Sequence, residues 1–178
     1  MTMRMRAIVL VVIQCLLVSS IAAKYQYERV TRPRVWVRAA QYDPELPMRG
    51  RYLALEPEVD VCALTPEDRA GVVTDKNWAM TYRVQLLARD GKLIAEDARG
   101  RLPRGDFQWA TTSERVPCQR AQAWPAIDFF VPETAKSPFD LRPGQELWVE
   151  VTVPPAGPPR AIQLALSDNG KWQPLKLE

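Results

Sequence analysis

Apolar and polar side chains alternate with a period of two along most of the chain, the pattern of half-buried β-strands. Residues 81–88 carry this alternation, and Asp90-Gly91 after them tolerates the positive φ of a tight hairpin turn into residues 92–96. The remaining predicted strands cover residues 34–39, 51–56, 127–131, 146–153, 161–166 and 171–177, with Asn169-Gly170 as a second hairpin turn. We therefore predict a mainly β fold, a compact antiparallel sandwich or barrel of about seven to eight strands.

The alternation also predicts which side chains face the core. Ile162, Leu164 and Leu166 are expected to point inward, whereas Glu150 and Thr152 are expected to face water. All 16 prolines lie at or beyond Pro33, a density that excludes a helical bundle because each interior proline breaks a helix. One short helix is predicted to start in residues 65–68, where a threonine N-cap precedes a proline and two acidic residues.

The N-terminal segment differs from the rest of the chain. Residues 7–23 are uncharged and mostly apolar, and at about 1.5 Å per residue a helix of this length spans about 25 Å, near the lower limit for crossing a hydrocarbon core. We predict that residues 1–32 form a hydrophobic anchor helix or signal segment with a juxtamembrane helix. Residues 33–178 are predicted to form an extracytoplasmic β domain.

Cleavage and orientation of this segment stay open. Small residues at its end fit a signal peptide cut after Ala22 or Ala23, and an uncleaved anchor fits as well. Arg4 and Arg6 favour a cytoplasmic N-terminus, whereas the basic residues from Lys24 onward oppose export of the β domain.

The balance of charge argues against nucleic acid as a partner. The chain has 24 basic and 21 acidic side chains, and Arg4 and Arg6 belong to the N-terminal segment, so 22 basic residues are left against 21 acidic ones. The two signs are interspersed, whereas nucleic-acid binding needs a concentrated positive patch. We predict no nucleic-acid binding.

The chain contains no histidine, which removes Ser-His-Asp and Cys-His catalysis and the commonest metal ligand. Two cysteines beyond the N-terminal segment are too few for a closed zinc site, the acidic residues lack the spacing of a calcium loop, and no Gly-rich phosphate-binding loop is present. We therefore expect no metal site and no cofactor.

The remaining catalytic option is a Ser-Lys dyad. Its nucleophile would be Ser113 or Ser137, and its base would be Lys76, Lys92 or Lys136. Both serines lie in turn-like polar contexts, which favours solvated loop residues, so we predict that the protein is not an enzyme.

Cys62 and Cys118 are able to form one disulfide if the domain folds in an oxidising compartment. Two buried free thiols are the alternative.

Six tryptophans are many for a domain of this size. Strand phase places Trp36 and Trp148 opposite the aliphatic core face. Outward tryptophans can stack on sugars or form a protein-binding patch, and a second buried face of a two-layered sheet is the structural alternative.

Two segments of the chain carry a family resemblance. In the first, Gly50, Tyr52 and Leu55 match a Gly-Asp-Tyr-x-x-Leu-x-Tyr signature, with Arg51 in place of the aspartate and Pro57 in place of the last tyrosine. The second segment runs from Phe129-Phe130 to Glu133 as a strand entering a Val-Pro-Glu turn. With these segments the chain resembles a divergent member of the GDYXXLXY family of bacterial membrane-anchored proteins.

This resemblance implies an N-in, C-out topology, a place beside a multi-pass inner-membrane protein, and no established reaction. We therefore expect a single-pass, non-catalytic interaction or assembly module of the bacterial inner membrane with a periplasmic β domain. The binding residues expected from both arguments are Gly50, Arg51, Tyr52, Leu55, Trp36, Trp148, Phe130 and Glu133. The alternatives are a cleaved periplasmic domain that binds glycan or peptide, and a membrane-tethered Ser-Lys hydrolase.

Overall fold

The computed structural model describes residues 3–42, 52–65, 79–98, 108–113, 115–132, 141–155 and 157–175. These residues form two compact units, residues 1–32 and residues 33–178. The first unit is a helix and the second is a β-sheet with its own hydrophobic core. The short helix predicted from residue 65 onward lies outside the described residues.

Helix α1, Met3–Thr31, contains the predicted apolar segment and is about 43 Å long at 1.5 Å per residue. It is long and apolar enough to cross a membrane, a property that an N-terminal signal sequence shares, and none of its apolar stretch is buried. Thr31 donates a hydrogen bond from Oγ1 to the Tyr27 carbonyl at 2.7 Å, and Arg29 lies in the last turn, where a cation interacts favourably with the helix dipole. The helix ends before Pro33, as predicted.

The described part of the chain contains ten strands after the helix, and the pairs among them are antiparallel, so the predicted mainly β, antiparallel fold is confirmed. The strands are β1 Arg34–Tyr42, β2 Tyr52–Val59, β3 Ala79–Arg89, β4 Lys92–Asp97, β5 Gln108–Ser113, β6 Ala121–Trp124, β7 Ile127–Phe130, β8 Gln145–Thr152, β9 Arg160–Asp168 and β10 Lys171–Pro174. A 3₁₀ turn, Cys118–Arg120, leads into β6. Both predicted hairpins are present, with positive φ at Asp90-Gly91 and at Asn169-Gly170.

Two of the ten strands, β5 and β6, were not predicted from the alternation. Their core-facing positions are occupied mainly by small residues, Ala110 on β5 and Ala121 and Ala123 on β6, all buried. Because alanine carries little apolar surface, it contributes only a weak signal to a hydrophobicity pattern.

The strands form one sheet in the order β10-β9-β8-β1-β2-β6-β5-β3-β4, and β7 pairs with the same strand, β2, as β6 does. The sheet curls so that β4 returns to the end of β2 through one parallel bridge, in which the Asp60 carbonyl accepts a hydrogen bond from the Ala95 amide at 2.9 Å. Within the described residues this bridge does not extend into a ladder, so the sheet is sandwich-like and the barrel alternative is wrong.

The core lies between the curled halves of the sheet and draws on nearly every strand. Its most completely buried side chains are aliphatic, among them Leu53, Leu55, Val84, Val149 and Leu164. Burial of such side chains is the main driving force for folding, at about 25 cal/mol per Å² of apolar surface.

Strand β9 departs from the predicted alternation. A bulge opposite Glu150 and Val151 makes Ile162 an extra residue, and the side chain of Ile162 is only half-buried. Leu164 is buried as expected, but Ala165 is buried on the opposite face, where it pairs with Trp148. The prediction that Thr152 faces water is wrong, since only 3% of this residue is exposed.

Candidate functional site

The described parts of the two segments that carry the family resemblance lie side by side in the sheet. β2 and β7 pair in antiparallel register, with Tyr52 opposite Phe130 and Leu55 opposite Ile127. Sequence alone did not place these segments together. Gly50, Arg51 and Glu133 lie outside the described residues, and Tyr52 is described by its backbone alone.

Leu55 and Phe130 differ sharply in their surroundings. Leu55 is completely buried in the core, so its side chain is not accessible to a partner. Phe130 is 75% exposed, the most exposed large apolar side chain among the described residues of the β unit. Of these two predicted binding residues, Phe130 is accessible from solvent and Leu55 is part of the core.

Further aromatic side chains face outward on β5 and β6. Trp124 at the end of β6 is 50% exposed and lies opposite Trp109 of β5 in the sheet register. The Arg83 guanidinium lies over the Trp109 ring, 5.3 Å from its centroid, a cation–π distance. We call the outward side chains Trp109, Trp124 and Phe130 the β6–β7 face.

A second group of aromatic side chains lies on β1, β8 and β10. Trp172 contacts both predicted tryptophans, with ring centroids 5.3 Å from Trp36 and 4.9 Å from Trp148. Trp36 and Trp148 lie opposite the core face, as predicted, and are half-buried by this packing, while Trp172 is 47% exposed. We call these three residues the tryptophan cluster.

None of the five tryptophans that the structure describes belongs to the buried core, and Trp78 lies outside the described residues. The cluster is therefore a surface feature whose members shield one another. Trp172 was not predicted to be a member of this cluster, although its position just after the Asn169-Gly170 turn already placed it on a strand.

A chain of ion pairs runs beside the tryptophan cluster. Arg38 contacts Glu146 at 2.9 Å and Glu58 at 3.7 Å, and Arg120 binds both oxygens of Glu58 at 2.9 and 3.1 Å. The hydrogen bonds to Glu58 raise the pKa of Arg120. Trp148 joins the network by donating its Nε1–H to Glu146 at 3.3 Å.

Two depressions open next to this network. A groove of about 360 Å³ is lined by polar side chains that include Thr112, Ser113 and Arg115. A smaller cleft of about 210 Å³ lies where β1 and β8 approach the start of β4, and Trp36 and Trp148 contribute to its lining.

The structure places the two described members of the candidate Ser-Lys dyad, Ser113 and Lys92, in different depressions. Ser113 lines the larger groove, and no lysine of the described ranges is among the residues that line it. Lys92 lines the smaller cleft instead, and Ser137, Lys76 and Lys136 lie outside the described residues. In the parts of the chain that the structure describes, no group of three or more Cys, Asp or Glu side chains is placed to hold a metal ion.

Cys62 and Cys118 form a disulfide, so this prediction is confirmed and the free-thiol alternative is wrong. The bond joins the end of β2 to the 3₁₀ turn. Next to it, the Val61 amide donates to the Cys118 carbonyl at 2.9 Å, and the Asp60 carboxylate accepts a hydrogen bond from the Cys62 amide at 2.9 Å. The disulfide thereby fixes the segment from which Arg120 reaches Glu58.

Comparison with known proteins found no matching family model, no matching curated protein and no matching solved structure. The resemblance to the GDYXXLXY family therefore stays a prediction.

Proposed function

We propose that this protein is a non-catalytic recognition or assembly module, held at the bacterial inner membrane by α1, with residues 33–178 in the periplasm. Its proposed partner is a multi-pass inner-membrane protein, as the family resemblance implies. The proposed contact surface is the β6–β7 face.

The exposure of Phe130 is the observation that carries this proposal. Three quarters of this side chain is exposed although it lies within a paired strand, and half of Trp124 is exposed on the preceding strand. Large aromatic side chains are enriched in the energetic centres of protein interfaces, where they bury much apolar area at a low cost in side-chain entropy.

The disulfide supports the proposed compartment. Disulfides persist in oxidising surroundings such as the periplasm and are rare in the cytoplasm. The Cys62–Cys118 bond joins residues 56 positions apart, so it stabilises the folded domain in a compartment where the bond is not reduced. Helix α1 supports the membrane attachment because it is long and apolar enough to cross a membrane.

The test is recovery of the partner with C-terminally tagged full-length protein from gently solubilised membranes, with the intact mass read in the same sample. The unaltered chain is expected to keep its N-terminal segment and to bring down a multi-pass protein in stoichiometric amount. A mass that lacks the first 22 or 23 residues, together with no recovered partner, would overturn the proposal.

Variants of Trp124 and Trp172, two tryptophans of similar exposure, test which surface contacts the partner. Trp124→Ala and Phe130→Ala are expected to lower partner recovery at least tenfold, since an interface hot spot contributes about 2 kcal/mol or more. Trp172→Ala removes a side chain of similar exposure from the tryptophan cluster and is expected to leave recovery unchanged. Equal loss in Trp124→Ala and Trp172→Ala would contradict the assignment to the β6–β7 face.

A further inference from the structure

The smaller cleft is built from segments that are far apart in sequence. β1 and β8 contribute Trp36, Arg38 and Trp148, whereas Asp60, Lys92 and Gln119 come from the end of β2, the start of β4 and the 3₁₀ turn. The curl of the sheet brings these segments together, and the Asp60–Ile94 bridge holds β4 there. The cleft lies beside the tryptophan cluster and not on the β6–β7 face, so it is independent of the proposed partner surface.

The volume of the cleft limits what it is able to hold. Drug-sized ligands occupy sites of about 300–1,000 Å³, so a cleft of about 210 Å³ fits one ring or one side chain. Two indole rings in its lining favour a ligand with an apolar face.

The charged side chains around the cleft indicate which net charge the ligand should carry. Two cationic side chains, Arg38 and Lys92, are balanced by two carboxylates, Glu58 and Asp60. An anionic ligand would meet the carboxylates and a cationic ligand would meet the guanidinium and the ammonium, so the lining favours a neutral ligand. That ligand should also offer hydrogen-bonding groups at its edge, because charged groups that lose water must find partners.

We propose that this cleft binds one neutral pyranose ring of a glycan. A pyranose has an apolar face of ring C–H groups, which an indole ring contacts, and an edge of hydroxyls, each able both to donate and to accept. The Lys92 Nζ ammonium and the side-chain amide of Gln119 have no hydrogen-bond or ion-pair partner among the described residues. Both groups are therefore available to the hydroxyls of the sugar. Asp60 Oδ1 already accepts from the Cys62 amide, which fixes the orientation of this carboxylate.

The experiment is saturation-transfer NMR on the full-length protein in phospholipid nanodiscs, because alkyl-glycoside detergents carry a competing sugar. The probes are methyl β-glucoside and N-acetylglucosamine as neutral rings, glucuronate as the anion, glucosamine as the cation and triproline as a peptide. The neutral sugars are expected to bind with a dissociation constant on the order of 1 mM, the range expected for about a dozen non-hydrogen atoms. Saturation is expected to be strongest on the C–H protons of one ring face.

Matched variants test the site itself. Lys92→Ala and Gln119→Ala are each expected to weaken binding about three- to tenfold, the effect of one net hydrogen bond. Lys171→Ala is the control for Lys92→Ala, because both lysines come directly after an Asx-Gly turn, and Gln122→Ala is the control for Gln119→Ala, because this exposed glutamine lines the other groove. Trp148→Ala is expected to abolish binding, with near-UV circular dichroism used to check that the variant is folded.

Three results would overturn the proposal. The first is the absence of saturation on both neutral sugars, and the second is an equal effect of the cleft variants and their controls. The third is tighter binding of glucuronate, glucosamine or triproline than of the neutral rings, which would assign the cleft to an ion or to a peptide. Failure here leaves partner recovery through the β6–β7 face untouched, so the two proposals fail separately.

Discussion

Replacing Leu55 by alanine separates a structural from a recognition role for the first resemblance segment. Leu55 is fully buried at the centre of β2, where β1 pairs with it on one side and β7 on the other. The backbone is therefore held on both sides, and little collapse into the vacated space is expected. Leu→Ala substitutions in cores cost about 2–5 kcal/mol, and we expect about 3–4 kcal/mol for this site.

The assay is thermal unfolding of the full-length protein in nanodiscs, followed by intrinsic fluorescence, since all six tryptophans belong to residues 33–178. A loss of about 3 kcal/mol corresponds to a decrease in Tm of roughly 10 °C for a domain of this size. Leu55→Met keeps most of the volume and is expected to cost less than about 1.5 kcal/mol. Phe130→Ala, on an exposed side chain, is expected to change stability by no more than about 0.5 kcal/mol while lowering partner recovery.

The burial of Leu55 and the exposure of Phe130 would both be contradicted if the two variants exchanged their effects. A Tm for Leu55→Ala within about 2 °C of the parent, together with loss of partner, would place Leu55 in a recognition surface and contradict its burial in the core. A large loss of stability in Phe130→Ala would show that this side chain is covered in the folded protein.

The remaining predictions concern the disulfide and two carboxylates. Replacing Cys62 and Cys118 together by alanine is expected to lower the free energy of unfolding by about 4 kcal/mol, as chain entropy predicts for a loop of 56 residues, and an unchanged denaturation midpoint would contradict the bond. Burial raises the folded-state pKa of Glu56, so its charged form costs stability above that pKa, and the cost disappears as the pH falls toward the unfolded-state pKa. Glu56→Gln is therefore expected to be more stable than the parent at pH 7 and equal to it at pH 4, as measured by urea unfolding, and a gain that persists at pH 4 would exclude titration as the cause. A double-mutant cycle on Glu58→Gln and Arg120→Ala is expected to give a coupling of about 0.5–1 kcal/mol that shrinks in 1 M salt, because the pair is bidentate but partly exposed, and a salt-independent coupling would count against an ion pair.

Features set by neighbouring residues were predictable from the sequence. The Asp90-Gly91 and Asn169-Gly170 turns were found because positive φ at two successive positions is a local demand that few dipeptides meet. The helix was found because seventeen uncharged residues have only one satisfactory structure in an apolar medium. The outward phase of Trp36 and Trp148 was predictable from the period of two, which local backbone geometry imposes.

Features that depend on distant residues needed the tertiary structure. Alternation indicates which side chains share a face, but it does not indicate which strand pairs with which, so the β2–β7 register that places Tyr52 opposite Phe130 was not predictable. The bulge at Ile162 was invisible for the same reason, because the extra residue is defined only against its partner strand β8.

The candidate sites divide in the same way. The sequence by itself determined that this is an apolar N-terminal helix followed by a β domain without histidine chemistry, because composition and local periodicity are properties of the chain. The tertiary structure alone decided that Leu55 is buried while Phe130 is exposed, and that Trp172 completes the tryptophan cluster. It also decided that Lys92 reaches the cleft beside Trp36, because the curl of a sheet is set by packing between strands that the chain order leaves far apart.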